Sequence, residues 1–120
     1  MKPLPLAGTI TKVRPDFATY IYTDGGHDLC VEAPMHVREE GREYIIDPTK
    51  GRPDVDLLCR LIGKTIVEAE YSFKEGLIFT TDDGTRCHVP PIKHYESWQC
   101  MGEAGYWIGL PSTVLNPPVD

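Results

Sequence analysis

One motif occurs twice in this chain. Thr23-Asp24-Gly25-Gly26 sits inside Phe17–Val31, and Thr81-Asp82-Asp83-Gly84 sits inside Gly76–Val89. In both places two short runs rich in β-branched and aromatic residues flank an Asp/Gly turn. That is the pattern of a β-hairpin, because Gly and Asp accept the backbone conformations that tight turns demand. Laid over one another without gaps, Thr23 falls on Thr81, Asp24 on Asp82, Gly26 on Gly84 and Val31 on Val89, while Ile21 falls on Phe79 and Leu29 on Cys87. A repeated hairpin commits the chain to antiparallel β structure. Two copies so far apart are too few, and their period too long, for a solenoid.

The remaining segments fit around the pair. Leu6–Val13 alternates as a first strand and Arg14-Pro15-Asp16 turns it. Met35–Arg38 and Glu43–Ile46 read as short extended pieces about a polar Glu39-Glu40-Gly41 turn, and Asp47–Pro53 as a loop. A helix is expected at about 53–62, where Val55, Leu58, Cys59, Leu61 and Ile62 form an apolar stripe, Pro53 and Asp54 suit the first turn, and Gly63 stops it. Lys64–Phe73 alternates as a long strand with Val67, Ala69, Tyr71 and Phe73 inward and Glu68, Glu70 and Ser72 outward. Beyond Pro90-Pro91, Tyr95–Met101 and Tyr106–Leu110 are the last strands. Gly8 and Gly63 each open a strand–turn–hairpin unit. The expected fold is α+β and mostly antiparallel β: two related β-meanders forming a sandwich or half-open barrel, with one helix over an edge. Residues 1–110 make a single β-rich domain and 111–120 a C-terminal tail.

Charge narrows the function classes. The net charge of −6 repels nucleic acid and anionic membrane at long range, so neither is an expected partner. No apolar run approaches the roughly 20 residues that span a bilayer, and Met1–Leu6 makes a poor signal peptide; the expected location is the cytoplasm. Cys30, Cys59, Cys87 and Cys100 are widely spaced without a Cys-x-x-Cys pair, and all four read as small hydrophobic residues. His27, His36, His88 and His94 show no paired-ligand spacing and read as exposed polar residues. Ser72, Ser97 and Ser112 lack a nucleophile-elbow context. A non-catalytic protein without metal or cofactor is the leading expectation. An enzyme using a metal held by His88, His94 and a carboxylate is the third reading.

Two surfaces remain for binding. Glu68, Glu70 and Ser72 line the wet face of one strand, and Glu75, Asp82 and Asp83 lie beside it through the hairpin; this acidic set is the expected partner-binding face. Tyr95, Glu96, Trp98, Tyr106 and Trp107 form the densest aromatic cluster, suited to a ligand, a protein interface or a sheet core.

The order of short motifs also carries a resemblance. Leu6 and Gly8, Asp24-Gly25, Asp47-Pro48, Leu57-Leu58 with Leu61 and Gly63, Asp83-Gly84, and Tyr95-Glu96-Ser97-Trp98-Gln99 resemble a family of small bacterial domains of unassigned function. Such domains look like the immunity proteins of polymorphic-toxin systems. The resemblance implies an immunity or antitoxin-like protein that binds and occludes a cognate toxin, for instance a basic nuclease-like domain. The alternative is a β-domain that binds a small ligand, a sugar or nucleotide, without catalysis. An unpaired edge strand also leaves room for a homodimer.

Overall fold

The computed structural model describes residues 1–50 and 55–118. Its strands are β1 (Lys2–Pro3), β2 (Gly8–Pro15), β3 (Thr19–Thr23), β4 (His27–Val31), β5 (Met35–Glu39), β6 (Arg42–Ile46), β7 (Thr65–Ser72), β8 (Gly76–Thr81), β9 (Arg86–Val89), β10 (Trp98–Gly102) and β11 (Gly105–Ile108). They join one antiparallel sheet in the order β11-β10-β4-β3-β2-β7-β8-β9-β5-β6, with β1 also on β7. The sheet is open, ending at β6 and β11, and is not closed into a barrel, in keeping with the expected mostly antiparallel α+β fold. The helix α1 spans only Val55–Cys59. The Pro53-Asp54 start expected for it lies outside the described residues.

The duplication runs the length of the fold. Ile21 pairs with Leu29 and Phe79 with Cys87; Thr19 pairs with Val31 and Leu77 with Val89. The turns match as well: Gly26 and Gly84 have φ of 93° and 85°, each a left-handed glycine three residues past the end of its strand. Asp24 Oδ1 accepts the Thr9 amide at 2.7 Å, and Asp82 Oδ1 accepts the Thr65 amide at 3.4 Å. The halves meet where β2 lies antiparallel to β7, with Thr9 opposite Thr65 and their hydroxyls 2.9 Å apart. Each copy thus meets its twin at an approximate twofold axis. The equivalence sets Thr9 on Thr65, so Gly8 and Gly63 are one position out of step.

The last hairpin of each copy is exchanged. β5–β6 follows β4 in sequence but pairs with β9, through His36–His88, Val37–Cys87 and Arg38–Arg86. β10–β11 follows β9 but pairs with β4, through Trp98–Val31, Gln99–Cys30 and Cys100–Leu29. The first half-sheet is therefore β2-β3-β4-β10-β11 and the second β7-β8-β9-β5-β6, and neither is complete without strands of the other copy. Their inner faces share one hydrophobic cluster that includes Ile10, Ile21, Leu29, Met35, Ile66, Phe79, Trp98 and Cys100, capped by Leu58 and Leu61.

Several local expectations are corrected. Val67, expected inside, is 61% exposed, because a β-bulge between Ile66 and Glu68 turns the pleat by one residue. An equivalent irregularity lies between Ile10 and Lys12. Arg14 and Pro15 stay in β2 and the turn falls at Asp16–Ala18, where the Asp16 amide donates to the Ala18 carbonyl. Tyr95–Ser97 precede β10 rather than opening it. Phe73 lies beyond the end of β7. Of the helical stripe, Leu58 and Leu61 are buried while Cys59 and Ile62 are exposed. Cys87 and Cys100 do pack as apolar side chains in the core; Cys30 is buried with its thiol hydrogen-bonded to Tyr20, and Cys59 is exposed. Burial pushes the Cys87 thiol up to about 12. His27 is buried, not exposed, with Nε2 accepting the Ala104 amide and the ring edge-on to Trp107.

Candidate functional site

Alternation along a strand sends every second side chain outward. On the second half-sheet this produces two rows that cross all five strands. One runs Glu68, Thr80, Arg86, Arg38, Glu43; the other runs Glu70, Ile78, His88, His36, Ile45. Arg38 thus faces Arg86, and His36 faces His88, across the same strand pair. The four side chains border an open depression of about 630 Å³, also lined by Glu43, Ile45 and Pro90.

Like charges set directly opposite on one sheet face work against folding, so this arrangement needs a compensating partner. Arg38 has one: its Nε donates to Glu43 Oε1 at 3.0 Å. That contact leaves the remaining guanidinium donors of Arg38 free for another acceptor. Among the described residues Arg86 forms no ion pair within 4 Å. His88 Nε2 donates to the Glu75 carbonyl at 2.7 Å, which fixes the ring and turns Nδ1 away from that bond. The two imidazole centroids lie 6.4 Å apart.

An ionic network, buried at Glu39 and open to solvent at Arg60 and Asp83, holds the end of β5. Glu39, at the end of β5, is 7% exposed. Its carboxylate takes Lys64 Nζ at 2.7 Å and Arg60 Nη2 at 2.5 Å, and Lys64 also pairs with Asp83 in the β8–β9 turn. The hydrogen bonds from Lys64 and Arg60 hold the Glu39 carboxyl below its ordinary value. Lys64 and Thr81 do the same, more strongly, for Asp83. Burial alone would lower Lys64, but its two carboxylate partners raise it.

The acidic set expected to bind a partner is divided. Glu68 is exposed and Glu70 half-buried on this same outer face. Ser72, expected on the wet face, is buried, and its Oγ accepts the Glu75 amide. Glu75 is exposed, Asp82 ties its turn to β7, and Asp83 is committed to Lys64. The aromatic cluster is split by the sheet. Trp98 is 1% exposed and edge-on to Tyr71, with Trp107 packed on the core, whereas Tyr106 and Tyr95 are exposed. Glu96 accepts from Gln99 Nε2. No exposed tryptophan anchor results.

The Arg38–Arg86 and His36–His88 pairs were missed by sequence reasoning. The available signal was a mirrored motif, His36-Val37-Arg38 against Arg86-Cys87-His88. Antiparallel pairing of such motifs places like on like. Among the described residues no group of three or more His, Cys, Asp or Glu is placed to hold a metal ion, and no helix is long and apolar enough to cross a membrane.

A family model described as "Family of unknown function (DUF6188)" matches residues 3–113. The chain belongs to this family. Membership covers both copies of the repeat and both exchanged hairpins, so the duplicated fold lies within the family's span. Searches of curated proteins and of solved structures find no match.

Proposed function

We propose that this member of the family is an immunity or antitoxin-like protein, which binds a cognate toxin and occludes it without performing catalysis. The reading is carried by the outer face of the second half-sheet. It opens a broad depression among His36, Arg38, Arg86 and His88, and it sets Glu68 and Glu70 two strands away. Segregated charges of both signs on a rigid sheet give orientation and fast encounter with one partner. The acidic strand β7 suits a basic, nuclease-like surface.

The test is co-expression with the product of the adjacent gene. That product should arrest growth alone and should be neutralised when this protein is present. A Glu68→Lys/Glu70→Lys variant that still folds should protect poorly. Equal growth in all arms overturns the reading.

A small-ligand domain is the second reading, favoured by one observation. The Trp98 indole N–H is buried without a hydrogen-bond partner beside a cavity of about 120 Å³ lined by Lys2, Tyr71, Phe73 and Gly109. Tryptophan fluorescence that shifts on adding sugars or nucleotides supports this alternative; an unchanged spectrum removes it.

A further inference from the structure

We propose that the His36/Arg38/Arg86/His88 quartet is a recognition site for a compact pair of carboxylates on an acidic loop of a protein partner. The inference rests on the binding-face reading above and adds the chemistry that the depression takes.

Three observations lead there. First, Arg38 and Arg86 stand directly opposite each other across β5 and β9, a placement that opposes folding unless an anion sits between them. Second, Arg86 lacks an ion-pair partner among the described residues, and Arg38 uses only Nε on Glu43, so both forks retain donors that match a carboxylate's two oxygens. Third, the site is held rigid: Glu39 anchors the end of β5 to Lys64 and Arg60, and His88 is pinned to the Glu75 carbonyl. A strand end and an imidazole held before the anion arrives lose little entropy on binding it.

Size and surroundings decide between anions. The two arginines and two histidines together are two strands wide and two rows deep, a span of about 5 by 7 Å. Glu68 and Glu70 lie on one side and Glu43 on the other, within a chain of net charge −6. An extended polyphosphate backbone would run into these carboxylates on leaving the site. A short acidic loop ends within it, and the Ile45 and Pro90 side chains at its border suit a polypeptide. Basic residues flanking that loop would face Glu68 and Glu70.

The experiment titrates the purified full chain with the capped peptide acetyl-Gly-Asp-Asp-Gly-amide, with a ten-residue thymidine oligonucleotide and with inorganic phosphate, following ¹H–¹⁵N shifts. Expected are saturable shifts from the peptide centred on residues 36–38 and 86–88, weakened about tenfold or more in Arg86→Gln and partly retained in Arg86→Lys. Arg86→Gln should fold and melt no lower than the parent, because it relieves the Arg38–Arg86 repulsion. Shifts in that variant that match the parent's, or no saturable peptide binding, overturn the proposal. Tighter binding of the oligonucleotide overturns it in favour of a nucleic-acid site, and phosphate binding at equal strength reduces it to a general anion site. If toxin neutralisation survives Arg86→Gln, the carboxylate site falls while the occlusion reading stands. If the peptide binds and no toxin is neutralised, the reverse holds.

Discussion

The two half-sheets share a backbone plan and carry opposite charge at matching places. Lys12 and Glu68 occupy equivalent positions, paired to Tyr22 and Thr80; Arg14 and Glu70 do likewise, paired to Tyr20 and Ile78. On the first half the cations lie over aromatic rings, Lys12 Nζ 5.3 Å from the Tyr22 centroid and the Arg14 guanidinium 3.9 Å from that of Tyr20. On the second, the cations have moved to β5 and β9, where they confront each other. The inner faces agree in being apolar, though not in size, as Ile21 against Phe79 and Leu29 against Cys87 show, while the outer faces differ in charge. A core position must be apolar and packed jointly with its neighbours, whereas an outward one needs only water or a partner. The first half holds its cations over its own aromatic rings; the second leaves Arg86 without an ion-pair partner among the described residues, and that difference is what motivates the binding face proposed above.

The largest effect should come from the shared core. Trp98 and Met35 are equivalent positions, 1% and 0% exposed. Trp98→Ala should cost about 3–5 kcal/mol, and Met35→Ala about 3 kcal/mol, in urea denaturation. Equal, small costs would show that the halves do not depend on one common core.

Next is the ionic network, which has no twin: Glu39 corresponds to Gly102 and Asp83 to Gly25. Lys64→Met should cost roughly 2–3 kcal/mol at neutral pH. Because Glu39 and Asp83 both have lowered pKa values in the folded protein, their contribution is present above the ordinary carboxylate range. It is lost as the pH falls below about 4 and through their folded values. The variant should therefore lose less stability between neutral and acid pH than the parent does. An unchanged acid profile would mean that the network does not stabilise the second half.

The two turns come third. Gly84 has φ of 85° with open space where a Cβ would stand, while at Gly26, φ 93°, a Cβ would lie 3.1 Å from the Glu103 carboxyl group. Gly84→Ala should cost about 1 kcal/mol from the left-handed backbone alone. Gly26→Ala should cost somewhat more, unless Glu103 swings away freely. Thermal melts of the two variants rank them. The smallest effect belongs to Glu68→Lys, which gives β7 the charge of its twin β2. It should move stability by less than about 0.5 kcal/mol, and a larger change would mean that the outer faces are not interchangeable.

The chain's own pattern determined much of this. Matching Asp/Gly turns, alternation in both hairpins and the stop at Gly63 made the antiparallel duplicate legible, because turn chemistry and side-chain period are local properties. Residues 35–46 were legible only as two extended pieces about a polar turn, and Glu39, read as part of that turn, is the buried last residue of β5. The bulges at Thr11 and Val67 were not legible, since one extra residue in a strand leaves no mark in composition, and from there the reading of β7 put Val67 inside.

What only the tertiary structure decided is which edge each final hairpin joins. β4 and β9 offer similar apolar and backbone partners, so nothing local says that β5–β6 should cross to β9 and β10–β11 to β4. Packing of both copies around one core makes that choice. The crossing brings His36-Val37-Arg38 beside Arg86-Cys87-His88 and so creates the cationic site, whose halves lie far apart in the chain. Local sequence sets which way each side chain can point; the long-range pairing sets what it meets.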